Sequence, residues 1–120
     1  PSNSSAASDV YKRQDRISLE DFQKLDLRVA VIKEAEPIPG SKKLIKLTVD
    51  AGDERTVVAG LKGHYSEQDL MGKQVLLLAN LEPVKLMGVE SRGMVLAAED
   101  DTGIHLIVPD RETVPGSSVK

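Results

Sequence analysis

The sequence has no cysteine and no tryptophan, and its aromatic residues are only Phe22, Tyr11 and Tyr65. Without thiols there can be no disulfide, no thiol nucleophile and no cysteine-ligated zinc or iron–sulfur centre. Two histidines, His64 and His105, are too few for an ordinary structural zinc site. So few aromatics demand an aliphatic core and argue against a ligand site built from stacked rings. No apolar run approaches the roughly 20 residues of a membrane-spanning helix. A surplus of positive charge is missing as well. The 16 Lys and Arg stand against 19 Asp and Glu, a net charge of −3, which opposes unspecific attraction to phosphate. The sequence contains no G-x-S-x-G, H-E-x-x-H, Walker or G-x-G-x-x-G pattern. Its one acidic run, Glu99-Asp100-Asp101, falls where Thr102-Gly103 signals a solvated turn. The expectation is therefore no catalytic residue, no metal and no cofactor in this chain alone.

What is present is an ordinary globular composition of 40% hydrophobic and 29% charged residues in 120, enough for one domain. Residues 1–16 stand apart. Pro1 to Ser8 is nearly all Pro, Ser, Asn and Ala, with neither apolar periodicity nor the hydrophobic stretch of a secretion signal. This leader reads as linker, tag or translated read-through, and if it is read-through the natural chain starts upstream of Ile17. The folded domain is expected over residues 17–120.

From Ile17 onward the pattern is regular. Ser18-Leu19-Glu20-Asp21 is a helix start in which Ser18 caps the Asp21 amide. Leu25 to Ile32 reads as a strand buried partly on both faces, ended by Pro37-Ile38-Pro39-Gly40. Ile45, Leu47 and Val49 alternate with Lys46, Thr48 and Asp50, and a turn at Ala51-Gly52-Asp53-Glu54 returns the chain through Arg55 to Gly60. Ser66-Glu67-Gln68-Asp69 repeats the helix-start pattern, and Gly72 closes it. Val75 to Ala79 is a continuous apolar run suited to a central strand. Asn80 to Gly88 reads as a loop, Gly93 to Ala98 as a fifth strand and Ile104 to Val108 as a sixth. This order predicts an all-β chain: a five-stranded Greek-key barrel of the OB type, with a short helix between strands 3 and 4 and a C-terminal extension. Ile104 to Val108 is apolar material surplus to a five-stranded barrel, so the segment Ile104 to Val119 and exposed strand edges are expected to pair two copies into a homodimer.

Candidate binding residues lie in two places. Lys42 and Lys43 precede the second strand, with Lys46 close behind, and Lys85 and Arg92 flank the start of the fifth. A Greek-key barrel can bring such loops to one rim. The stretch from Asn80 to Met94 also holds donors in Asn80, Lys85, Ser91 and Arg92, with Gly93 and Met94 following. Another reading has Met87 and Met94 plugging the barrel end and the glycines merely permitting turns. Tyr65 alone offers a ring for base stacking, so recognition of a folded RNA by shape and backbone fits better than stacking on single strands.

The spaced blocks Asp21-Phe22, Leu25-Asp26-Leu27-Arg28-Val29, Ser41-Lys42-Lys43-Leu44, Val58-Ala59-Gly60, Ala79-Asn80-Leu81, Leu86-Met87-Gly88 and Ser91-Arg92-Gly93-Met94 resemble the tRNA-binding OB domain of methionyl-tRNA synthetases and their free-standing relatives. The likeness runs from Ile17 to Lys120. It implies a cytoplasmic tRNA-binding module, usually homodimeric, carried by a synthetase as a C-terminal appendix or acting alone. A catalytic synthetase domain, attached or separate, is then an expected partner. Export-chaperone-like relatives leave a second reading, a dimer that binds unfolded polypeptides. The resemblance implies that Asn80, Ser91, Gly93 and Met94 face RNA and that Lys43 contributes the basic start of the second strand. Glu82 and Val84 depart from the basic residues common in the family, which lowers the positive charge of that surface.

Overall fold

The structure, a computed structural model, describes residues 16–120; nearly all of the expected leader, residues 1–15, lies outside the described residues. The chain begins with a short helix, α1 (Leu19–Gln23), and the Ser18 hydroxyl accepts the Asp21 amide at 3.1 Å as its sequence predicts. Strands β1 (Leu27–Pro37), β2 (Ile45–Asp50) and β3 (Glu54–Ala59) follow. Helix α2 (Glu67–Leu70) comes next, opened by a full capping box between Ser66 and Asp69. Then come β4 (Gln74–Leu78), β5 (Val84–Leu86), β6 (Val89–Ser91), β7 (Met94–Val95), β8 (Ala97–Asp100) and β9 (Gly103–Leu106).

Five strands form one antiparallel sheet in the order β3-β2-β1-β4-β7, curled into a nearly closed barrel. Strand β1 makes the curl possible. Its first half, Leu27 to Val31, pairs with β4, and its second half, Val31 to Pro37, pairs with β2. A register shift between Ile32 and Glu34 bends the strand where it changes partner. Alternation on β2 puts Ile45, Leu47 and Val49 fully inside, where they meet Ile32, Val57, Leu70, Val75 and Leu77. The core is aliphatic, as the scarcity of aromatics requires. Tyr65 packs against it, and its hydroxyl accepts the Leu106 amide at 3.1 Å. It is a structural ring rather than an exposed stacking platform.

Three sequence readings need correction. The stretch Asn80–Gly88 is not simply a loop, because β5 and β6 pair as a hairpin through Val84↔Ser91, Lys85↔Glu90 and Leu86↔Val89. Its two-residue turn has both Met87 (φ 52) and Gly88 (φ 82) in the left-handed region, the demand of a tight hairpin with the twist of its strands. The expected fifth strand is divided at Leu96 into β7 and β8. Finally, Met87 and Met94 are exposed and plug nothing.

The C-terminal segment also has a place in its own barrel. Beyond β9, the Ile107 carbonyl accepts the Leu76 amide and its amide donates to Leu96. The Gln74 side chain holds Thr113 at both its carbonyl and its amide, the latter at 2.9 Å. The tail then runs along β1 where β2 has left off: Gly116 N–H donates to Val29 O, Val29 N–H to Ser117 O, and Val119 N–H to Leu27 O. Gly116 lies so close to Gly52 that a Cβ on it would sit 3.0 Å from the Gly52 backbone. The premise that Ile104 to Val108 is surplus therefore fails, since Gly103–Leu106 pairs with β8 and Ile107 bonds Leu76 and Leu96. Residues from both ends of the described chain, Leu19, Phe22 and Leu25 with Ser118, Val119 and Lys120, line one recess.

Candidate nucleic-acid interface

The turn after β1 positions the first cationic loop. Ser41 Oγ accepts the amides of Lys43 (3.3 Å) and Leu44 (3.0 Å), and Lys43 O accepts the Lys62 amide at 3.0 Å. This fixes the backbone while the Lys42 and Lys43 side chains stay exposed. The β5–β6 hairpin folds against the same rim. A Cβ on Gly40 would lie 3.3 Å from the Met87 methyl, so the tip of the β1–β2 loop touches the tip of the hairpin that carries Lys85. The two distant loops therefore meet at their tips.

Between the hairpin and the β2–β3 surface runs an open groove of about 460 Å³, lined by Lys46, Glu54, Arg55, Thr56, Gly88, Val89, Glu90 and Arg92. Among the described residues, Lys42, Lys43, Lys46, Lys85 and Arg92 have no ion-pair partner. Their charge is available to an anion. Glu54 and Glu90 dilute it.

The remaining candidates occupy the frame of this site. Ser91 is buried; its Oγ accepts the Val58 amide at 2.9 Å and donates to Gly93 O at 3.1 Å. It closes the seam between β3 and β7, which no strand ladder spans. Gly93 has φ +146, and a Cβ there would sit 3.0 Å from Leu78 O and 3.2 Å from the Leu77 side chain, so only glycine lets the chain cross β4. Asn80 Oδ1 accepts the Asp26 amide at 2.9 Å, and its Nδ2 donates to Lys24 O at 2.6 Å. That amide ties the exit of β4 to the junction of α1 and β1. Met94 is 42% exposed and lines a second groove with Val58, Leu61 and Ile104.

Sequence reasoning passed over Arg55 as a site residue and left Lys46 as a neighbour. The alternation of β2 could have signalled that Lys46 points outward beside Lys42 and Lys43. Locally only Asp53 pairs with Arg55, whose other partners Ala79 and Arg92 are 24 and 37 residues away. Two ionisable groups elsewhere are perturbed. The Asp26 carboxylate, through a 2.9 Å hydrogen bond and then its charge, raises Arg28 above its ordinary value against a small opposing effect of burial. Asp100 lies below the usual carboxylate range because it accepts the Thr102 hydroxyl at 2.6 Å and the Thr102 amide at 2.9 Å, with His105 adding to the effect.

A small antiparallel five-stranded barrel with a charged groove between a hairpin and its β2–β3 surface defines the class: an oligonucleotide-binding barrel. The family model described as "Putative tRNA binding domain" matches residues 27–118, and the chain belongs to this tRNA-binding domain family. It is 51% identical over 109 residues to the methionine–tRNA ligase of Archaeoglobus fulgidus, covering 90% of this chain and 17% of that protein. To the Thermotoga maritima methionine–tRNA ligase it is 46% identical over 111 residues, 92% of this chain and 18% of that protein. The chain thus spans about a sixth of the length of these relatives. Among solved structures it is similar to the MetRS related protein from Pyrococcus horikoshii, with a TM-score of 0.83 and 38% identity over 89% of this chain and 100% of that one. The CsaA chaperone protein of Picrophilus torridus superposes with a TM-score of 0.81 at 28% identity, over 88% of this chain and 100% of that one.

Proposed function

We propose that residues 17–120 form a tRNA-binding module that grips folded tRNA by its backbone and shape through Lys42, Lys43, Lys85 and Arg92, on a frame set by Asn80, Ser91, Gly93 and Met94. One observation carries the reading: the β1–β2 loop, which bears Lys42 and Lys43, touches the β5–β6 hairpin, which bears Lys85, at Gly40 and Met87, and beside that hairpin Lys46 and Arg92, without ion-pair partners among the described residues, line one groove. Cations without ion-pair partners exchange condensed counterions for phosphates, so affinity should fall with salt, with a shallow slope because few phosphates are neutralised. Backbone contacts carry little sequence information, so such a module serves many tRNAs. Joined to a methionyl-tRNA synthetase body, it raises the local tRNA concentration at a remote active site. It supplies no chemistry of its own, and it works in the cytoplasm with its synthetase.

A homodimer belongs to the same proposal, in a revised form. The tail lies on its own barrel, yet it leaves an apolar groove lined by Val29, Leu76, Ile107, Val108, Pro109 and Val119. Val119 also lines the recess beside α1, a helix with no buried residue. The two grooves share Val119, a second copy seated across them is the proposed partner, and sedimentation at tens of micromolar should show a dimer.

The test of tRNA binding is a filter-binding titration against bulk tRNA with an RNA duplex of equal length as control. Preference for tRNA, lost together with about two units of salt slope in the Lys43→Ala/Arg92→Ala variant, supports the module. Equal weak binding to both RNAs, untouched by the substitutions, overturns it in favour of the polypeptide-binding role that the chaperone-like neighbour suggests.

A further inference from the structure

Arg55 sits on β3 at the edge of the groove, and both of its Nη atoms are held by protein partners. Its Nη1 donates to Ala79 O at 2.8 Å and to Arg92 O at 3.2 Å, and its Nη2 donates to both carboxylate oxygens of Asp53 at 3.0 Å. The remaining Nε–H is buried without a partner. Both Nη atoms are therefore engaged by protein partners, Nε is enclosed, and the charge is neutralised by Asp53, so Arg55 meets a phosphate in the groove with little left to offer. Two of the three attachments hold segments that frame the binding surface. Ala79 precedes Asn80, and Arg92 follows the buried Ser91. The Arg92 peptide is in fact clamped from both sides by β3: its amide donates to Thr56 O at 2.9 Å, and its carbonyl accepts from Arg55.

We propose that Arg55 is a positioning residue for RNA binding, which clamps the Arg92 peptide to β3 and the end of β4 and so directs the Arg92 side chain into the groove. The proposal rests on the tRNA reading above and assigns the groove its organiser. A planar guanidinium reaches two carbonyls and a carboxylate together; a lysine ammonium on a flexible stem does not reproduce that fork. Retained charge therefore does not rescue the function. This separates positioning from direct phosphate contact, for which lysine serves nearly as well.

The experiment measures tRNA affinity across a salt series for wild type, Arg55→Lys, Arg92→Ala and the double variant. Arg92→Ala is expected to lower the salt slope by about one unit through one lost phosphate contact. Arg55→Lys should lower it by the same amount although no charge is lost, and the double variant should be no worse than either single one. A slope unchanged in Arg55→Lys, or fully additive losses, overturns the proposal. A second measurement uses unmodified protein and an arginine-specific dicarbonyl reagent, read by mass spectrometry with and without tRNA. Arg92 should react when free and be protected by tRNA, while Arg55 should resist in both states. Reactive Arg55 that tRNA protects would make it a direct contact and overturn the clamp. Failure of the wild type to prefer tRNA over the duplex would instead strike the parent reading, and it would show as Arg92 labelling that tRNA leaves unchanged.

Discussion

Ser91→Ala separates the structure's account of this site from the simpler idea that each polar side chain near the groove touches RNA. The hydroxyl is 6% exposed as part of its residue, accepting Val58 N–H and donating to Gly93 O. Removing it leaves a buried amide with no acceptor and a carbonyl with one partner fewer. An orphaned buried group costs about 1–3 kcal/mol. The amide bears most of that, since a carbonyl with a spare lone pair tolerates loss better, so about 2 kcal/mol is expected for the pair. At 4–8 °C per kcal/mol for a domain of this size, the melting temperature should drop by about 8–16 °C. Thermal unfolding followed by circular dichroism, with urea titration for the free energy, reads the change. Below the transition, the salt slope for tRNA should equal that of the wild type, because no phosphate contact was removed. A variant as stable as wild type that nevertheless binds tRNA with a shallower slope would refute the argument and place the hydroxyl against RNA.

Other outcomes follow from the same contacts. Asn80→Ala loses both ties to Lys24 and Asp26 and should cost about 1–2 kcal/mol in urea unfolding, with faster amide exchange at Asp26. Gly116→Ala forces φ +90 on a residue with a Cβ and presses it to 3.0 Å from the Gly52 backbone; a loss of about 1–3 kcal/mol should appear with faster exchange of the Val29 and Val119 amides as the tail lifts. Asp100 binds its proton less readily folded than unfolded, so its contribution is complete above the ordinary carboxylate value of about 3.9 and disappears as pH falls through the lower folded value. Asp100→Asn should therefore flatten the acid limb of a stability–pH profile, and an unchanged acid limb would contradict the linkage.

The sequence exposed those features that depend on near neighbours. The alternation of Ile45, Leu47 and Val49 needs only the period of a strand, and Ser18 and Ser66 announce their helices within three residues. The β5–β6 hairpin escaped because its turn uses Met87-Gly88, and a methionine in the left-handed region lacks the Asn-Gly signal that marks such turns. Strand β1 outran its expected end since Pro37, as the last residue of the strand, still pairs with Ile45. At the site, exposed lysines were legible as loop charge. Ser91 and Asn80 could be identified as donors, but what they bond was hidden, because Val58 lies 33 residues from Ser91 and Lys24 lies 56 from Asn80. Closure of a barrel decides such pairs, and no local pattern records it.

The recess shared by α1 and residues 118–120 has a mechanical consequence. Anything joined to either end of the domain leaves from the pole where β1 starts, whereas Lys42 and Lys43 follow the pole where β1 ends. Eleven residues of strand separate these poles, roughly 30 Å at 3.3 Å per residue with allowance for the bend. The barrel is then a pendulum hung from one point, with Lys42 and Lys43 at its free end. Rotation about the suspension sweeps them through an arc of that radius without disturbing a single strand pairing, so a swivelling attachment can follow a moving RNA while the fold stays rigid.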